Sequence, residues 1–213
     1  MSPGGATGPT GPVGPVIAID GPAGSGKSTV SRALARRLGI DRLDTGAMYR
    51  AVAWAALDRR VDPADRRAVA DLAGSLRITL GERVEVDGTD VTEAIRGDGV
   101  NRAVSVVAAN PDVRSVLVQR QRGWVVDHGG GVVEGRDIGS VVFPDAEVKI
   151  YLTASPEERA RRRPEEDAAA LSRRDRLDST RAVSPLGVAD GARVIDTTDR
   201  PVEDIVDEVV GWL

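Results

Sequence analysis

The sequence predicts an α/β fold in which a parallel β-sheet is flanked by helices. Three observations lead there. Short continuous apolar runs, of the kind that buried parallel strands use, alternate with stretches of helical period. The first run, Val16 to Asp20, passes straight into Gly21-Pro22-Ala23-Gly24-Ser25-Gly26-Lys27-Ser28, a full match to G-x-x-x-x-G-K-[ST] between a strand and a helix. Between Arg77 and Thr92 the apolar period changes to two, which predicts a small antiparallel β insert.

Met1 to Pro15 is rich in Gly and Pro and holds four Gly-X-Y triplets, too few for a collagen helix, so 1–15 is expected to be a flexible tail before a single domain over 16–213. After the glycine loop, Val30, Ala33, Leu34 and Leu38 recur at helical spacing and Gly39 supplies the stop. A second helix is expected from about Ala47 to Leu57. A third should start with Asp62 as its cap and Pro63 in its first turn. In the insert, Asp87-Gly88 marks a hairpin turn. Helical signals return from Val104 to Arg122. Strand-like runs follow at Val132-Val133-Glu134, Val148 to Leu152 and Val194 to Asp196, and a last helix carries Val202, Ile205, Val206, Val209 and Val210 on one face.

Composition narrows the function. No apolar run approaches the roughly 18–20 residues of a membrane span, and a net charge of −4 argues against a nucleic-acid footprint. Without Cys there is no disulfide, thiolate nucleophile or thiolate metal site. The absence of a signal-peptide pattern makes the cytoplasm the expected compartment.

The glycine loop carries specific chemistry. Gly21, Pro22, Ala23, Gly24, Ser25, Gly26, Lys27, Ser28 and Thr29 are expected to bind ATP, the backbone N–H groups of all but Pro22 being able to close around phosphates. Lys27 reaches the β/γ oxygens, and Ser28 offers a hydroxyl to Mg²⁺. Of 29 basic residues only Lys27 and Lys149 are lysines, so a compact ammonium is retained here in a chain that otherwise uses Arg. A second site is suggested by Leu43-Asp44-Thr45-Gly46-Ala47-Met48-Tyr49-Arg50 at a helix start. Val133-Glu134-Gly135-Arg136-Asp137-Ile138-Gly139 just past a buried strand adds to it, since ligands bind at the carboxyl ends of parallel strands.

These motifs, in this order and together with Arg173-Arg174-Asp175-Arg176-Leu177-Asp178-Ser179-Thr180-Arg181 and on to Leu186, resemble the bacterial cytidylate kinase family from Val16 onward. The long stretches around Glu134 and Arg173 are not shared with adenylate or shikimate kinases. The resemblance implies phosphoryl transfer from ATP, with Mg²⁺, to CMP or dCMP; a monomer is the expected state. It places an acceptor-binding insert at 76–105 and a helical lid at 159–181, where this sequence is shorter than the family's usual lid. It implies Ser105 and Asp137 for the cytosine N4 group and Arg114 for N3 and O2. Arg50 and Arg136 serve the acceptor phosphate. Thr45, Arg174 and Asp178 serve the ribose, Tyr49 belongs to the same site, and Arg181 lies near base and phosphate. Arg159, Arg162 and Arg163 fall at the transferring group. Uracil would set its O4 acceptor against the Asp137 carboxylate, which is a basis for rejection. No general base is needed, because the attacking phosphate oxygen is already ionised; Lys27, Arg136, Arg162, Arg163 and Arg174 are the expected catalytic charges, with Ser28 and Glu134 toward the metal. The alternatives are a UMP or shikimate kinase and a nucleotide-binding switch.

Three other signals are set aside. His128-Gly129-Gly130-Gly131 lacks a nucleophile elbow and a second His, so it is expected to be a loop. Arg96-Gly97-Asp98 is expected to be a turn. Trp54, Trp124, Trp212, Tyr49, Tyr151 and Phe143 are expected to be mostly core. Arg163, Pro164 and Glu165-Glu166-Asp167 read as the start of a lid helix that Ala168 to Leu171 continues, and only nine residues separate Arg163 from Arg173.

Overall fold

This computed structural model describes residues 14–164, 168–180 and 186–213, without the side chains of residues 168–171 and 174. The tail up to residue 13, the expected lid-helix start at 165–167 and Arg181 lie outside the described residues.

Five strands form a parallel sheet: β1 (Val16–Asp20), β2 (Arg42–Asp44), β6 (Gly131–Glu134), β7 (Val148–Thr153) and β8 (Arg193–Asp196), in the order β2-β6-β1-β7-β8. Strand β1 is therefore central, in register with β6 (Ala18 beside Val133) and with β7 (Ile19 beside Ile150). Its side chains divide by alternation. Ile17 and Ile19 enter a core with Val30 and Leu34 of α1 (Lys27–Leu38) and Ile205 and Val209 of α8 (Val202–Val210). Val16 and Ala18 face the opposite core. That second core is built by α2 (Thr45–Asp58), α3 (Arg66–Ser75), α4 (Asp98–Ala109) and α5 (Pro111–Asp127). Both faces are thus covered, which explains why the strands read as unbroken apolar runs; each buried Val or Ile contributes roughly 1.5–3 kcal/mol.

The insert is a three-stranded antiparallel sheet of β3 (Ile78–Leu80), β4 (Val84–Val86) and β5 (Thr89–Asp90), turned at Asp87 and Gly88 with φ of 51° and 86°. Both central residues have positive φ, as a tight hairpin turn that follows strand twist requires. Two helices, α6 (Pro156–Arg161) and α7 (Ala168–Ser179), lie in the stretch where a lid is expected.

Several local expectations shift. The third helix is capped by Asp65, whose carboxylate accepts the Ala68 N–H at 3.0 Å, while Asp62 closes a turn on Ala64. Pro63 thus sits in that turn rather than in the helix. The helical stretch expected over Val104 to Arg122 is two helices. Pro111 has no N–H to continue α4, and Asn110 caps α5 by accepting from Asp112 at 3.0 Å. Strand β2 was not anticipated, being three residues long. Of the six aromatics only Tyr49 is buried. Trp54, Trp124 and Phe143 rest half-buried on one core and Trp212 on the other. His128 ends α5 and stacks on Trp124 with ring centroids 4.0 Å apart, and Gly97 joins a 3₁₀ turn (Ala94–Arg96) to α4, so both set-aside motifs are structural.

Candidate active site

The carboxyl ends of β1, β2 and β6 open into one cleft of about 430 Å³, walled on the far side by α2, α4 and α5. The loop after β1 wraps back into α1. Gly21 has φ of 148° and a Cβ there would overlap the Leu152 carbonyl oxygen, so only glycine fits as the chain leaves the sheet. Ala23, Gly24, Gly26, Lys27, Ser28 and Thr29 line the cleft. Gly21, Pro22 and Ser25 do not; they shape it. The Lys27 ammonium donates to the Pro22 carbonyl at 2.7 Å, Arg136 donates to the Gly21 carbonyl, and Ser25 is fully buried.

Opposite the loop, Thr45, Tyr49 and Arg50 come from the start of α2. Asp44 caps that helix by accepting the Ala47 N–H at 3.0 Å, and the Thr45 hydroxyl donates to the Glu134 carbonyl at 2.7 Å, tying α2 to β6. Arg50 is buried and aimed by the Ile95 carbonyl (2.8 Å) and Asn101 Oδ1 (2.7 Å). The break at Asn110 brings Ser105, on α4, and Arg114, on α5, to the same wall. Arg114 forms a buried ion pair with Asp137 and lies 5.7 Å from the Tyr49 ring. Arg136 donates from Nε to Asp178 at 2.9 Å, joining the loop after β6 to α7. Gly135 can only be glycine at this crossing, because a Cβ would come within 2.6 Å of both Ile138 and the Thr45 hydroxyl.

Glu134 is 2% exposed. One carboxylate oxygen accepts from Arg42 at 2.6 Å, while Oε2 is buried without a hydrogen-bond partner. Burial pushes its pKa up to about 7, with Asp44 adding to the rise and Arg42 and Lys27 opposing it; the Ser28 hydroxyl faces the carboxylate without meeting strict hydrogen-bond geometry. An oxygen aimed at Ser28 beneath the phosphate loop suits a hard cation, which takes oxygen ligands and would hold the carboxylate ionised.

From the residues just after α6, Arg162 and Arg163 reach the cleft. Arg162 is anchored: it donates to Glu158 (2.7 Å) and to both the hydroxyl and the carbonyl of Thr197 (2.8 Å each). Arg159, expected at the transferring group, instead pairs with Asp175 and leans on the Ala23 carbonyl at 3.3 Å, outside the cleft. The Arg174 side chain and Arg181 are not among the described positions. Residues the sequence did not single out are Arg42, Asp44, Asp20, Asp175 and Thr197. Position at the carboxyl end of a parallel strand was the available signal for Asp20 and Thr197.

A family model described as cytidylate kinase matches residues 17–213. The chain is similar to the cytidylate kinase of Pelotomaculum thermopropionicum, at 51% identity over 91% of this chain and 93% of the relative. It is equally similar to that of Rhodococcus opacus, at 51% identity over 89% of this chain and 90% of the relative. With the motif order, the paired sites in one cleft and half of all positions shared across nearly the full length, this chain belongs to the cytidylate kinase family.

Proposed function

We propose that the cleft transfers the γ-phosphoryl group of ATP to CMP or dCMP, giving ADP and CDP or dCDP, with roles divided between its two walls. The N–H groups from Ala23 to Thr29 and the positive end of α1 bind the donor phosphates, and Lys27 swings from the Pro22 carbonyl onto the β/γ oxygens. Ser28 and Glu134 would hold Mg²⁺, which would supply positive charge against the negative charge that develops on the phosphates. On the acceptor side Arg50 and Arg136 fix the phosphate, and Thr45, Asp178 and Arg174 fix the ribose. Ser105, Asp137 and Arg114 read the base beside Tyr49. Arg162 and Arg163 neutralise the group in flight, and Arg181 belongs with the base and acceptor phosphate. Catalysis is positioning plus electrostatics, so no side chain has to move a proton.

The observation that carries this reading is the Arg114–Asp137 pair beside Ser105, buried in the same cleft as the phosphate loop. It offers a cation to N3 and O2 and an acceptor to N4, the pattern of cytosine. Residues 76–105 then serve as the acceptor-binding insert and 159–181 as the lid of one catalytic domain, working as a monomer in the cytoplasm. No helix among the described residues is long and apolar enough to cross a membrane. Coupled measurement of ADP formation with CMP, dCMP, UMP, AMP and shikimate tests the assignment; preference for any acceptor over CMP and dCMP would defeat it. Asp137→Asn should lower the CMP/UMP ratio of kcat/KM while sparing ATP binding.

A further inference from the structure

Asp20 closes β1, directly before Gly21, and the roles assigned to the cleft leave it unused. The residue is 3% exposed, and its carboxylate accepts two backbone N–H groups, Ile138 on Oδ1 and Gly139 on Oδ2, each at 2.8 Å. These N–H groups open the π-helical turn Ile138–Val142, where no preceding carbonyl of the turn can serve them. The same two segments are bolted twice more: the Gly135 N–H donates to the Ile19 carbonyl at 2.9 Å, and Arg136 donates to the Gly21 carbonyl. The residue between these bolts is Asp137.

We propose that Asp20 is a positioning residue for base selection: its carboxylate holds the Ile138 and Gly139 amides so that Asp137 faces the base, making the phosphate-loop strand and the base reader one rigid piece. This rests on the base-reading role given to Asp137. Only an ionised carboxylate offers acceptors to both amides without a donor of its own; an amide or a protonated acid turns a donor toward one of them. Burial pushes the Asp20 pKa up to about 6; the Gly139 and Ile138 amides oppose the shift, Asp137 on the adjoining turn adds to it, and Lys27 on α1 opposes it. Tyr151 on neighbouring β7 also faces it. The clamp therefore loosens as pH falls through that value.

The test is kcat/KM for CMP and for UMP, at saturating ATP and Mg²⁺, in wild type, Asp20→Asn and Asp137→Asn. Taking the CMP/UMP ratio cancels the phosphate ionisation common to both substrates. Loss of one charge-assisted hydrogen bond predicts that Asp20→Asn raises KM for CMP on the order of tenfold and lowers the ratio, with KM for ATP little changed. The wild-type ratio should fall as pH drops through about 6, and the ratio of Asp20→Asn should stay flat. A folded Asp20→Asn enzyme with wild-type KM for CMP and wild-type ratio overturns the proposal. Should that variant lack a cooperative thermal transition, the wild-type profile decides: a ratio constant from about pH 5 to 7 overturns it, and a fall near 6 supports it. An unchanged ratio in Asp137→Asn overturns the base-reading role as well, whereas a relaxed Asp137→Asn beside an unchanged Asp20→Asn removes the Asp20 role alone.

Discussion

Arg114→Met should weaken the fold as well as base selection. The side chains of Arg114 and Asp137 are only 4% and 7% exposed. Removing one partner of a buried pair costs roughly 3–5 kcal/mol, because the remaining charge stays desolvated. An unfolding entropy of about 2.1 cal/mol/K per residue over 213 residues comes to about 0.45 kcal/mol/K, so the melting midpoint should fall by about 7–11 °C. Arg114→Met/Asp137→Leu removes both charges and should recover most of that loss, yet without restoring CMP selection. The measurements are thermal unfolding followed by circular dichroism at neutral pH, and kcat/KM for CMP and UMP on the same samples. A midpoint within about 2 °C of wild type in Arg114→Met, or a double variant no more stable than the single one, would refute the buried-pair reasoning.

Lys27→Ala should lower transfer by about 10²-fold or more while CMP binding is largely kept, since the ammonium serves the donor phosphates; single-turnover rates and CMP titration check it, and retention of more than about a tenth of turnover would contradict the role. Arg162→Ala removes a cation from the cleft and the bonds that tie the end of α6 to Thr197, just past β8, so kcat should drop while the Kd of ATP, followed by calorimetry, changes little. In the folded protein Asp20 binds its proton more tightly than in the unfolded chain, its pKa rising from 3.8 to about 6. Its contribution to stability is therefore full below pH 3.8 and is lost as pH rises toward about 6. Urea midpoints across that window should fall less steeply in Asp20→Asn than in wild type, and parallel slopes would contradict the assignment.

The elements that the sequence determined by itself are those whose cause is local. Gly21 and the run to Ser28 specify their own backbone through steric freedom and spacing, the unbroken apolar run of β1 announces burial on both faces, and Gly39 ends α1 with φ of 67°. Asp87-Gly88 likewise carries its turn within two residues. Asn110-Pro111 was equally local, and the break between α4 and α5 was written there; the apolar period running through Val104 to Arg122 masked it. What only the tertiary structure decided depends on sheet order. Because β6 inserts between β1 and β2, Arg42 meets Glu134 across 92 residues of chain and Asp20 meets the amides of Ile138 and Gly139. The arginine-rich stretch around α6 is the same case: the cluster was visible, but whether Arg159 or Arg162 reaches the cleft turns on Asp175 and Thr197, contacts from elements that no periodicity links. Local chemistry specifies a conformation within a few residues, whereas the partner of a buried charge is chosen by which strands and helices pack side by side.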